Sequence, residues 1–178
     1  WTLHADEGSC IQQLDAVIDD LGANLSADDY VVALTDKNNF RKDVLPTYKS
    51  NRKEKRKPIV LNAMREHIMK KHNGIIWDNL EADDVMGIMA TEPALNEERI
   101  LVSIDKDMRT IPCNLSQDGT TIEQIPEKIA NYNFMIQTIM GDKTDGYAGI
   151  EGAGIKTAER SEERRVGKES RAEGSRYD

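Results

Sequence analysis

Three carboxylates, Glu81, Asp83 and Asp84, stand within four positions of the stretch NLEADDVMGIMA, directly before an apolar run. Further acids recur in comparable settings: Asp36 after YVVAL, Asp105 and Asp107 in the DKD that follows RILVSI, and Asp142 and Asp145 in GDKTDG. Carboxylates gathered within a few ångströms raise one another's pKa values unless a counter-charge is bound. Hard divalent cations supply that charge, and an all-oxygen donor set selects Mg2+ or Mn2+ over zinc. Two such ions about 4 Å apart activate a water and stabilise the leaving oxygen in phosphodiester cleavage. Taken singly, each acid has a plainer role. Glu81 and Asp83 suit the N-terminus of a helix, and Asp105 suits a cap after its strand. Repetition at three strand ends is what favours metals.

The elements that must position these acids follow from periodicity. Ile11, Leu14, Val17, Ile18 and Leu21 repeat at helical spacing, with Gly22 and Asn24 as a stop. YVVAL (residues 30–34) reads as a buried parallel strand, and GIIW (74–77) and RILVSI (99–104) as two more. Between them, Ile59, Met64, Ile68 and Met69 mark a helix ending at KKHNG. A further helix is expected over Ala82 to about Thr91, and another over IPEKIANYNFMIQTIM. Helix and strand alternate, so the fold class is α/β with a mainly parallel central sheet and flanking helices. In such folds ligands bind at the carboxyl ends of strands, which would bring the acids to one edge of one sheet.

Charge and glycine patterning add to this. The net charge is −8, against any simple coating of nucleic acid, yet residues 41–57 carry eight bases against the two acids Asp43 and Glu54. A basic segment beside an acidic pocket suits an anionic polymer; a solvated loop is the alternative. Gly149, Gly152 and Gly154 punctuate a hairpin that opens a helix near Ile155, where free amides could hold phosphate. No apolar stretch approaches the roughly 20 residues of a membrane span, so no membrane partner is expected. Nor do the first residues look like a secretory leader. Cys10 and Cys113 are the only cysteines and lie far apart, which points away from a disulfide scaffold or a Cys/His zinc site and towards a reducing, intracellular setting. His4, His67 and His72 lack ligand-like spacing and are expected at the surface or at helix ends. Met64, Met69, Met86, Met89, Met135 and Met140 are expected in the core, and Trp77 in packing.

The ordered stretches TDKNNFRKDVLPTYKSNR, EADDVMGIMA, ILVSIDKDMRTIP and QTIMGDKTDGYAGIEGAGIKTAE resemble the motifs of the flap-endonuclease/5′→3′ exonuclease family. The likeness is greatest to the 5′ exonucleases of T-odd bacteriophages, relatives of the 5′-nuclease domain of bacterial DNA polymerase I, and spans about Asp36 to Glu159. It implies a PIN-like 5′-nuclease domain over residues 1–140 with a helical arch at about 41–58. A helix–hairpin–helix-like DNA-binding element would begin at 141–159. The implied activity is two-metal hydrolysis of DNA at 5′ ends, flaps and duplex, with RNA–DNA hybrid a further substrate. The setting would be phage replication, primer removal or host DNA degradation, carried out by a monomer in the host cytoplasm.

Carried over, Asp36, Glu81, Asp83 and Asp84 would hold the first metal, Asp105 and Asp107 would fall at or between the ions, and Asp142 and Asp145 would hold the second. Arg41, Lys49 and Arg52 would lie in the arch, with Lys49 and Arg41 on the scissile phosphate and Tyr48 stacking on a base. Gly149, Gly152, Gly154, Lys156 and Thr157 would grip duplex backbone, often with a bound K+.

Two features depart from the family pattern. Family members begin with a strand bearing a metal-binding Asp, and none precedes Trp1, so an N-terminally truncated fragment is expected. From Arg160 the run RSEERRVGKES resembles a translated sequencing adapter, so residues 160–178 are expected to be an artefactual tail. The alternatives to a nuclease are therefore a flap- or duplex-binding fragment without turnover, and a different metal-dependent phosphoryl-transfer enzyme. The phosphoryl-transfer enzyme has no need of the basic arch or the glycine hairpin.

Overall fold

The computed structural model of the chain describes residues 6–50, 57–93, 98–142, 144–161 and 164–165. Helix α1 spans Glu7–Asn24 and is capped by Asp6, whose carboxylate accepts from the Ser9 amide at 3.1 Å. Strand β1 (Val32–Ala33) leads to a short helix α2 (Arg41–Val44), and α3 (Leu61–Lys71) precedes β2 (Gly74–Ile75). Helix α4 covers Ala82–Thr91, as expected. Strand β3 (Ile100–Val102) runs into a 3-10 turn at Lys106–Thr110, then β4 (Cys113–Ser116), β5 (Glu123–Ile125) and α5 (Glu127–Met140). Residues 155–161 and 164–165 are helical, so the helix that begins after Gly154 carries on past the point where the adapter-like run starts.

The α/β class holds, with one amendment to the sheet. The described strands form two sheets: a parallel pair β1–β2, and a three-stranded sheet in the order β3-β4-β5. There β3 and β4 are parallel and β4 and β5 antiparallel. Helix α4 packs against both β1 and β3, so it is the element that ties the two sheets together. Strands β4 and β5 are absent from the sequence reading because CNLS and EQI lack an apolar run. The stretch YVVAL pairs only through Val32 and Ala33, and Tyr30 and Val31 are exposed rather than buried.

The core gathers on the second sheet: Leu101, Met108, Leu115, Ile125 and Ala130 are buried together, with Met86, Ala90, Ile111 and Cys113 against them. The buried methionine is thus Met108, in the 3-10 turn. None of the six methionines expected in the core is buried, and Met69 and Met140 are exposed. Ile59 lies ahead of α3 and is 81% exposed, while Ile68 on that helix is buried. Trp77 is partly exposed, and both cysteines are free thiols. Among the described residues no helix is long and apolar enough to cross a membrane.

Candidate functional site

The acidic stretch forms the start of α4. Glu81 is its N-cap, and its amide donates to the Asp84 carboxylate at 3.0 Å, which fixes the first turn. The Thr35 hydroxyl at the end of β1 accepts from the Ala82 amide at 3.1 Å and so pins the helix start to the first sheet. Glu81 is 8% exposed, and Val85 one turn later is fully buried, so this carboxylate is carried inward with the apolar face. Its charge is met by the segment after α2. Lys49 Nζ lies 3.0 and 2.9 Å from the two Glu81 oxygens, and the Tyr48 hydroxyl donates to Oε2 at 2.8 Å.

Asp84 forms a two-pronged pair with Arg41, both N–O distances being 2.6 Å. Burial acts to raise the Asp84 carboxyl, but the Arg41 guanidinium and the Glu81 amide hold it below its ordinary value. The Arg41 guanidinium also stacks over Phe40, 4.9 Å from the ring centre. The α2 turn that presents Arg41 is held by buried Asn39, whose side-chain oxygen accepts from the Arg41 amide at 2.9 Å.

Asp83 and Asp107 are the acids of the group pushed above their ordinary values. Burial pushes Asp83 up, and Asp105 and Glu81 push it further. Burial likewise raises Asp107, with Asp105 and then Asp142 adding to it. Asp105 caps the 3-10 turn by accepting from the Asp107 amide at 2.9 Å, and that turn packs against α5.

After α5 the chain turns back through a short bridge: the Asp142 amide donates to the Tyr147 carbonyl and the Tyr147 amide to the Asp142 carbonyl, each at 2.8 Å. Gly141 and Gly149, with φ of 77° and 68°, cross back to back at its base. Asp145 reaches the Tyr48 hydroxyl at 3.3 Å and Lys49 at 3.8 Å, and its carbonyl accepts from the Lys49 amide at 3.1 Å. Lys49 adopts φ of 50° there, a left-handed conformation uncommon outside glycine. Asp142 lies 3.8 Å from Lys106.

A cleft of about 710 Å³ runs between these pieces, bordered by Glu81, Asp83, Asp84, Asp107, Asp142 and Asp145, with Arg41 and Tyr48 on its wall. The structure therefore gathers six of the eight predicted acids; Asp105, beside Asp107, is not on the cleft wall. Asp36 stands apart. Its two oxygens accept from the amides of Asn79 (3.0 Å) and Lys37 (2.6 Å), so it braces the loop ahead of α4 instead of facing the cleft.

Arg52 lies outside the described residues, as does most of the expected arch after Ser50. Of the hairpin glycines, Gly149 is engaged internally, whereas Gly152 and Gly154 have open space around them, and Lys156 and Thr157 are exposed. Sequence reasoning missed Lys106, Phe40 and Asn39. Only Lys106, between the two acids of DKD, carried a local signal.

The donor set is all carboxylate oxygen, and burial and neighbouring carboxylates push two of its acids, Asp83 and Asp107, above their ordinary values. That fits hard divalent cations. Arg41 pairs with Asp84, Lys49 with Glu81 and Asp145, and Lys106 with Asp142.

Comparison with known proteins gives one family model, described as a 5′-3′ exonuclease N-terminal resolvase-like domain, matching residues 3–137. The chain is 40% identical over 132 residues to an exodeoxyribonuclease of Enterobacteria phage T3, covering 70% of this chain and 43% of that protein. It is 41% identical over 134 residues to an exonuclease of Escherichia phage T7, covering 70% and 44%. It thus spans less than half the length of these two relatives. Among solved structures, the T5 D15 protein co-crystallised with metal ions shares the fold with a TM-score of 0.70 at 21% identity, covering 84% of this chain and 66% of that one.

Proposed function

The chain belongs to the family of 5′-3′ exonuclease N-terminal resolvase-like domains, and on that premise we propose that its acidic cleft hydrolyses DNA phosphodiesters at 5′ ends and 5′ flaps. One observation carries the reading: carboxylates from α4, the 3-10 turn and the loop after α5 line one cleft that also bears Arg41 and Tyr48. Two Mg2+ or Mn2+ ions, when bound, would supply charge stabilisation to the phosphate oxygens and lower the pKa of water. Asp83, Glu81 and Asp84 would hold one ion, Asp142 and Asp145 the other, with Asp107 and Asp105 between. Asp36 would act from behind, by fixing the loop that leads into Glu81.

The chain's own residues do the rest. Arg41 and Lys49, now paired with Asp84 and Glu81, are placed to exchange those partners for the scissile phosphate, and their charge would then oppose the build-up on its oxygens. Tyr48, whose ring lies against both cations, offers a face on which a terminal base stacks. Burial and the Glu81 hydrogen bond hold its phenol protonated well above the ordinary tyrosine range, so it acts as a donor and not as a base. Gly152, Gly154, Lys156 and Thr157, with Arg52, would grip the duplex backbone, and a K+ ion could sit at that hairpin. A setting in phage DNA replication or host DNA degradation follows from the same reading, as does a monomer in the host cytoplasm.

The test is cleavage of a 5′-labelled duplex and a 5′-flap substrate in Mg2+ and in EDTA, with Asp83→Asn and Asp105→Asn as controls. Short products from the 5′ end, lost with EDTA and in both variants, support the proposal. Flap binding without cleavage by the folded chain would make it a binding module, and neither binding nor cleavage would refute the reading.

A further inference from the structure

Away from the acidic cleft, three side chains that sequence spacing keeps apart converge between α1 and α3. His67 Nε2 and His72 Nε2 lie 2.7 and 2.6 Å from the same oxygen, Asp15 Oδ1. All three donor atoms fall within 4.8 Å of one another. We propose that Asp15, His67 and His72 bind one borderline divalent cation of the Zn2+ class, and that this ion clamps α1 to α3.

The donor chemistry fits. Two imidazoles and one carboxylate form a set that zinc accepts with a fourth position left for water, and it is softer than anything in the acidic cleft. Both histidines present the same ring nitrogen. For His72 to ligate through Nε2, its ring proton sits on Nδ1, where the Tyr30 hydroxyl lies 2.8 Å away to accept it. An outer partner of this kind fixes tautomer and ring angle in metal-binding histidines. The His72 side chain is 1% exposed and immobilised, while Asp15 and His67 are 21% and 22% exposed, which leaves the cation a path in from solvent. Lys71 takes the second oxygen, Oδ2, at 2.5 Å and leaves Oδ1 to the metal.

The clamp also meets a structural need. No residue of α1 is buried, and its main packing partner is α3. A helix so thinly covered gains little from apolar burial, so a metal bond between Asp15 on α1 and the two histidines would set its position.

The experiment titrates the chelator-stripped chain with Zn2+ by calorimetry, in saturating Mg2+ to occupy the acidic cleft, and with Co2+ by visible spectroscopy. The expected result is one equivalent of Zn2+ that Mg2+ does not displace, and an intense four-coordinate Co2+ spectrum. His67→Ala should weaken binding by more than about 100-fold and Tyr30→Phe by about 10- to 100-fold, while Asp83→Asn leaves it unchanged. Tyr30→Phe keeps the ring in place, so its outcome reads the site even if His67→Ala unfolds. Binding unaffected by both variants, binding lost in Asp83→Asn, or no binding at all would each overturn the proposal; the last would leave a cluster held by hydrogen bonds alone.

Discussion

Replacing Gly149 by alanine should destabilise the chain far more than the same change at Gly152 or Gly154, though all three look alike in GIEGAG. At Gly149 an added Cβ would sit 2.4 Å from the Gly141 nitrogen and the Met140 carbonyl carbon, and 2.6 Å from the Met140 oxygen. Those are backbone atoms, held by hydrogen bonds that the Gly141 amide donates to the Gln137 carbonyl (2.8 Å) and the Ile150 amide to the Ile139 carbonyl (2.9 Å), so they cannot simply move aside. The φ of 68° adds left-handed strain. Strain and overlap together cost about 2–5 kcal/mol, or a fall in Tm of about 5–15 °C for a chain this size. Gly152 has φ of 75° but nothing within 4 Å, so Gly152→Ala carries the strain alone, about 1 kcal/mol. Gly154→Ala meets neither cost and should stay within about 0.5 kcal/mol of the parent. Thermal melting followed by far-UV circular dichroism, with and without Mg2+, reads all three. Because Gly149 closes the loop bearing Asp142 and Asp145, Gly149→Ala should also lose part of the Mg2+-dependent rise in Tm. If Gly149→Ala melts at or above Gly152→Ala, the back-to-back crossing of Gly141 and Gly149 is wrong.

Other expectations follow from the cleft and the core. Adding Mg2+ to about 100 times its Kd should stabilise the chain by about 2.7 kcal/mol per ion, visible as a rise in Tm that Asp83→Asn diminishes. In EDTA the sign reverses: the raised folded pKa values of Asp83 and Asp107 mean the native state binds protons more tightly, so their penalty grows as pH rises from 3.8 through those values. Asp83→Asn should therefore match or exceed the parent Tm at pH 7 in EDTA, and a lower Tm would contradict that assignment. Asp84 contributes oppositely, since its folded pKa is depressed: its stability is present above 3.8 and lost as pH falls through the folded value. Arg41→Met should cost about 1–3 kcal/mol in urea melts by stranding Asp84, and adding Asp84→Asn should recover part of it; strictly additive losses would argue against the pair. Leu115→Ala, at a site 1% exposed, should cost about 2–5 kcal/mol; a loss under 1 kcal/mol would mean the second sheet is not the core.

The helices were legible because a 3.6-residue period needs only its own residues to show itself: α4 emerges over Ala82–Thr91 as read. The strands were less so, since two or three paired residues leave almost no pattern, and β4 and β5 take their identity from one another. Contacts between distant segments were invisible for the same reason. His67 and His72 are five apart and share no helix face, but His72 lies past the end of α3, at φ −117° and ψ 35°, and swings back to the oxygen that His67 meets. Six of the eight acids singled out in the sequence border one cleft, but they do not form a purely charged edge beside the apolar run. Glu81 and Val85 are both buried one turn apart, so the carboxylate enters the interior edge with the apolar stripe and is held there by Lys49 and Tyr48 from the segment after α2. Asp83, on another face, is left to the cleft with its pKa raised. Cations of the chain thus pair with one subset of the acids, while burial and neighbouring carboxylates raise another, and that uneven compensation, more than the number of acids, suits the cleft to a bound cation.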